Sequence, residues 1–190
     1  MDIILASQSP RRRQLLELMG HPFRIQTAAI DETMDPDAPL AQEIAALSRR
    51  KAEAICSDAL VIAADTMVCV EGKRLGKPRD EAEAFSMLRM LSGRTHTVLT
   101  GVCVAYGDRV ETFVEESTIH FRSLSDAEIR AYIATGEPMD KAGAYAVQGG
   151  AALFISRLEG DFYNVMGLPV CRLTKLLRSF GVPVLGDPSD

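Results

Sequence analysis

Three consecutive arginines, Arg11, Arg12 and Arg13, follow Ser7-Gln8-Ser9-Pro10 near the start of the chain. Ser9 before Pro10 reads as an N-cap followed by the first residue of a helix. The arginines then fall in the first helical turn, where the helix dipole disfavours each cation by about 0.3–1 kcal/mol. Hydroxyls in the loop, free amides at the helix start and guanidinium forks that grip two oxygens at once suit an anion such as phosphate. A local rule broken in this way points to function. A solvated basic turn is the plainer alternative.

Asp65 interrupts the apolar run from Leu60 to Val70. A carboxylate there is costly to bury without a partner. It reads as a catalytic base or a metal ligand, or else as a strand end that meets solvent. Lys77, in Gly76-Lys77-Pro78-Arg79-Asp80, either aims its charge at a phosphate or decorates a surface turn. It is no P-loop lysine, because GxxxxGK[ST] is absent. Lys51 closes the run Arg49-Arg50-Lys51 and by itself reads as a solvated helix end. Asp31, Glu32 and Asp35 lie in a polar loop; a carboxylate here can share a hard divalent cation with Asp65, although an acidic loop is the simpler account. Gln148, in the small-residue loop Gly143–Gly150, carries the donor and the acceptor needed to read the edge of a base, a weak signal alone. His21, His96 and His120 are far apart in sequence and argue for no zinc site, and Ser7 and Ser9 lack the setting of a hydrolase nucleophile.

The elements that must position these residues follow from periodicity and caps. Ile3–Ala6 suits a buried strand, and Leu15, Leu16, Leu18 and Met19 give the first helix its apolar face, with Gly20 as its C′ residue. A second helix is expected from about Pro39 to Ile55, and one or two buried strands from Leu60 to Val70. Asp80 should cap a third helix that ends at Ser92-Gly93. Thr95–Ala105 and Val110–Phe121 read as an antiparallel pair turning at Tyr106-Gly107-Asp108-Arg109. Ser125 and Glu128 have capping-box spacing, Ala152–Ile155 reads as a strand, and Pro169–Phe180 as a last helix. The mixture predicts an α/β fold with a partly antiparallel sheet.

With 190 residues, 47 % hydrophobic and 25 % charged, one globular domain over residues 1–190 is expected, at most two small lobes. No apolar run is long enough to span a bilayer, and the first residues lack the pattern of a signal peptide. Cys56, Cys69, Cys103 and Cys171 are scattered and read as reduced thiols, most of them buried, in a cytoplasmic protein. Lys and Arg number 21 against 26 Asp and Glu, a net charge of −5, which argues against nucleic acid as a partner.

Several of these segments recur together in one family. They are Leu5-Ala6-Ser7-Gln8-Ser9-Pro10-Arg11-Arg12, Asp31-Glu32, Arg50-Lys51-Ala52, Ala64-Asp65-Thr66, Gly76-Lys77-Pro78, Leu91-Ser92-Gly93 with His96, Asp140–Tyr145 with Gln148-Gly149, and Gly160–Pro169. In this order and over nearly the whole chain, they resemble the Maf family of nucleoside triphosphate pyrophosphatases. The resemblance implies a mixed, partly antiparallel twisted sheet flanked by helices, with two lobes around a cleft as in inosine triphosphate pyrophosphatases, and often a homodimer. It implies hydrolysis of a nucleoside triphosphate to the monophosphate and pyrophosphate with Mg²⁺ or Mn²⁺. In the roles it implies, Glu32 and Asp65 hold the metal and Asp65 also serves as base. Ser7, Arg11, Arg12, Lys51 and Lys77 bind the phosphates. Thr66 and Gln148, with Arg11, set the base preference and match the branch acting on dTTP and UTP. The branch acting on 7-methyl-GTP carries an acidic residue in place of Gln148. A non-catalytic nucleotide-sensing module in cell division control is the rival class.

Overall fold

The computed structural model describes residues 1–184, so the last six positions of the expected domain lie outside the described residues. The strands are β1 (Ile3–Leu5), β2 (Arg24–Ile25), β3 (Leu60–Val70), β4 (Lys73–Leu75), β5 (Thr95–Tyr106), β6 (Arg109–Phe121) and β7 (Ile155–Glu159). The helices are α1 (Pro10–Glu17), α2 (Leu40–Glu53), α3 (Glu81–Leu91), α4 (Asp126–Ile133), α5 (Phe162–Met166) and α6 (Val170–Ser179). The seven strands form one sheet in the order β2-β1-β3-β5-β6-β7, with β4 paired to β3. β1 pairs in parallel with β2 and β3, while β4 and β7 run antiparallel to their neighbours. The two-residue Gly107-Asp108 connection joins β5 to β6 as a hairpin. The fold is therefore the mixed, partly antiparallel α/β arrangement expected.

The chain divides into two compact units. The first comprises Met1–Asp65, Thr100–Glu115 and the chain from Gly167 onward; the second comprises Thr66–Leu99 and Glu116–Met166. β3, β5 and β6 each contribute residues to both. In the first unit, Ile4, Val61 and Ala63 of the parallel strands pack with Ala52 and Ile55 at the end of α2. β1 is buried along its length, as a strand flanked on both sides must be. In the second unit, Val68, Leu88, Leu91, Ile119 and Ile129 form a core beside an aromatic cluster in which His96, Phe121, Tyr145, Phe154 and Tyr132 meet edge to face.

Local signals set the helix starts. Ser9 Oγ accepts the Arg12 amide, Asp80 Oδ1 accepts the Glu83 amide at 2.8 Å, and Ser125 with Glu128 forms a complete capping box. Two expectations need correction. The strand predicted over Ala152–Ile155 begins only at Ile155, because Gly150–Leu153 winds into a 3₁₀ turn and leaves Leu153 exposed. Short apolar runs do not by themselves separate strand from turn. Of the four free cysteines only Cys103 is buried; Cys56 and Cys171 are exposed. No described helix is long and apolar enough to cross a membrane.

Candidate functional site

Unit one gathers five charged side chains at the start of α1. The loop after β1 delivers the buried Ser7, whose Oγ accepts hydrogen bonds from the Ser9 amide and from Arg12 Nη1, both at 3.2 Å. Arg12 also donates from Nε to the Gly167 carbonyl at 2.8 Å. Gly167 sits at φ 112°, a conformation that L side chains rarely adopt, so glycine is what allows the chain to turn there between α5 and α6. The first turn of α1 holds no acidic residue. Burial pushes the Arg12 guanidinium below its ordinary range; the Asp65 and Glu32 carboxylates oppose that shift and the neighbouring Arg11 adds to it.

Lys51 lies in the last turn of α2, and its Nζ is 2.5 Å from Asp65 Oδ1 on β3 and 3.0 Å from Glu32 Oε1. Lys51 and Asp65 are each 16 % exposed at the side chain, whereas Glu32 is 63 % exposed. The neighbouring Arg50 donates to the Thr33 carbonyl at 3.1 Å, and Asp31 Oδ1 accepts the Thr33 amide at 2.9 Å. Hydrogen bonding from the Thr33 side chain and then from its amide, with the nearby Arg50 charge, holds the Asp31 carboxyl below its usual range against a small opposing effect of burial. Two consecutive residues of one helix end thus fix the acidic loop that presents Glu32. Read as a solvated helix end in isolation, Lys51 is instead the half-buried centre of an ion triad.

Ser7, Arg11, Arg12, Glu32, Lys51 and Asp65 are therefore brought together in unit one. Thr66, Lys77 and Gln148 belong to unit two. Thr66 is half-buried on β3. Lys77 is exposed in the turn between β4 and α3, where the Gly76 carbonyl accepts the Gly143 amide at 3.0 Å. Gln148 is exposed in the turn between the 3₁₀ segments Ala142–Ala144 and Gly150–Leu153.

Two features of the structure had no sequence signal for their role. The Gly167 carbonyl that anchors Arg12 is one; a requirement for glycine at that turn was the only trace available. Glu137 is the other: its carboxylate accepts Tyr132 Oη and the Gly150 amide beside the Gln148 turn.

Among the described residues, no group of three or more His, Cys, Asp or Glu side chains is placed to hold a metal ion. The donor set at the triad is two carboxylates, all oxygen. That set fits Mg²⁺ or Mn²⁺, which are commonly held by one or two carboxylates with water and phosphate oxygens completing the shell.

The Ham1 protein of Staphylococcus aureus superposes with a TM-score of 0.51 over 95 % of this chain and all of that one, at 15 % identity, a likeness of fold alone. A protein of Pelotomaculum thermopropionicum named dTTP/UTP pyrophosphatase is 52 % identical over 189 residues, covering 97 % of this chain and 99 % of that protein. One of Moorella thermoacetica with the same name is 49 % identical over 189 residues, covering 97 % of each. One of Bacillus pumilus, again so named, is 45 % identical over 184 residues, covering 95 % of this chain and 97 % of that protein. The Maf-like protein model matches residues 2–180, and the chain belongs to the Maf family.

Proposed function

We propose that this protein hydrolyses nucleoside triphosphates, dTTP and UTP foremost, to the monophosphate and pyrophosphate. The observation that carries the reading is Lys51 held between Asp65 and Glu32 beside Arg12 and Ser7 at a helix start. Three cations and a hydroxyl at a helix start can bind a polyanion, while a carboxylate within the same group can take a proton.

Arg11, Arg12 and Lys51 offset the phosphate charge, and Ser7 adds a hydrogen-bond donor. Lys77 contributes a further positive charge. Asp65 accepts the proton of the water that attacks the α-phosphorus, so that the new P–O bond forms as the bond to the pyrophosphate oxygen breaks. Such placed proton transfer contributes about 10²–10⁴-fold. Glu32 and Asp65 would hold Mg²⁺ or Mn²⁺, which when bound polarises a phosphate oxygen and lowers the pKa of water. Thr66 and Gln148, with Arg11, read the pyrimidine; an amide offers the donor and acceptor that a base edge requires. A cytoplasmic setting and a homodimer belong to the same reading.

A screen of pyrophosphate release over canonical and modified triphosphates, with Mg²⁺ and Mn²⁺, tests it. UTP and dTTP should give the highest kcat/KM. Tight binding without pyrophosphate release would make the protein a nucleotide sensor, and a preference for 7-methyl-GTP would move it to the other branch. Light scattering at working concentration checks the dimer.

A further inference from the structure

Gln148 is exposed at the tip of a short turn, yet the backbone on both sides of it is tied to one carboxylate. The Gly150 amide donates to both Glu137 oxygens, at 3.0 and 3.2 Å. On the other side the Ala146 amide donates to Tyr132 Oη at 3.0 Å, and that hydroxyl donates to Glu137 Oε1 at 2.5 Å. The Tyr132 ring is itself fixed edge to face against Phe154, with centroids 5.2 Å apart. Lys141 Nζ reaches back to the Glu137 carbonyl at 2.8 Å. Residues 146 and 150 flank Gln148 two positions to either side, so the clamp brackets it symmetrically.

The approach is close enough to dictate sequence. A Cβ on Gly149 would stand 2.3 Å from a Glu137 carboxylate oxygen, so the neighbour of Gln148 must be glycine for the carboxylate to lie over the turn. The two groups bonded to the Glu137 carboxylate, Tyr132 Oη and the Gly150 amide, both donate to it. A carboxylate, acceptor at both oxygens, satisfies them both; an amide of the same shape would turn one end into a donor facing donors.

We propose that Glu137, acting with Tyr132, is a positioning residue for base discrimination that holds the Gln148 turn in its reading conformation. It touches no substrate; it acts through the backbone at Ala146 and Gly150. The inference rests on the assignment of Gln148 to base reading.

The experiment compares Glu137→Gln and Gly149→Ala with the unaltered protein by two readouts. In the first, kcat/KM for UTP is divided by that for ATP; the ratio should fall about tenfold or more in each variant, as expected for loss of a hydrogen bond to a charged group, with most of the change in KM for UTP. In the second, amide hydrogen exchange at Ala146 and Gly150 should accelerate while exchange on β5 stays as it was. Gly149→Ala keeps the Glu137 side chain unaltered and pushes its carboxylate off the turn, so it stands as the test if Glu137→Gln folds poorly. In a Glu137→Ala background Gly149→Ala should cost far less, because the obstructing carboxylate is gone. An unchanged UTP/ATP ratio in the folded variants, or an equal loss on every triphosphate, overturns the proposal. If the unaltered protein shows no base preference but the two amides still depend on Glu137, the clamp stands and the assignment of Gln148 fails.

Discussion

In the first unit one ammonium, Lys51 Nζ, holds two carboxylates, 2.5 Å from Asp65 and 3.0 Å from Glu32. In the second, one carboxylate, Glu137, holds a phenol hydroxyl and a backbone amide. The inner members of each arrangement are partly or largely screened from water, but they differ in what can change. Around Lys51 every participant is a charged side chain on a flexible stem, and each can exchange its partner when an anion or a cation arrives. Around Glu137 the amide partner belongs to the main chain and the phenol is locked in an aromatic cluster. Lys51 thus sits in an arrangement suited to chemistry, and Glu137 in one suited to keeping a shape.

Experiments that separate the two should show effects of different kinds. Chelating divalent cations should stop pyrophosphate release with every nucleobase; full activity in the presence of the chelator would remove the metal from the mechanism. Asp65→Asn should retain the fold and lower kcat about 10²–10⁴-fold on all triphosphates alike. An unchanged kcat, measured by pyrophosphate release, takes Asp65 out of the reaction.

Unit two should show itself first in stability. His96 is 2 % exposed, Nε2 shares a hydrogen bond of 2.9 Å with Tyr145 Oη, and burial pushes its pKa down to about 4. Its folded pKa lies below the unfolded value of about 6.5, so the unfolded chain binds the proton more readily. Stability is therefore full above about pH 6.5 and falls as the pH drops toward 4, by up to about 3 kcal/mol. Urea unfolding at pH 7 and pH 4.5 should show this loss, and His96→Gln should flatten the dependence. If the slope is the same without the imidazole, other groups carry it.

Gln148→Ala should lower the UTP preference about tenfold with little change in kcat on poor substrates; a uniform loss across bases would count against base reading. The smallest effect belongs to Ser125→Ala, which breaks the capping box of α4 and should cost about 1 kcal/mol without altering turnover. Thermal unfolding and an activity assay check both halves of that expectation.

The features legible in the sequence were those decided within a few residues. The caps at Ser9, Asp80 and Ser125, the start of α2 after Pro39 and the Gly107-Asp108 hairpin depend on neighbours along the chain. Pattern reading also placed Asp65 in a strand where a carboxylate needs a partner. What it could not provide was the partner. Lys51 is 14 residues from Asp65, and a basic helix end reads as solvated until the loop carrying Glu32 is laid against it. Glu137 shows no motif of its own, because its partners are a backbone amide and a tyrosine brought together by three successive tight turns. The shifted start of β7 has the same origin, since the turn at Gly150 is stabilised by a carboxylate from outside the local segment.

The bond from Arg12 to the Gly167 carbonyl joins residues 155 positions apart. It also sets an order on synthesis. Unit two is complete at Met166, whereas unit one still needs the chain from Gly167 onward. At roughly 5–20 residues per second, the ribosome takes about 8–30 s to pass from one partner of that bond to the other. The nascent arginine cluster, made first, is among the last parts of the molecule to be held in place.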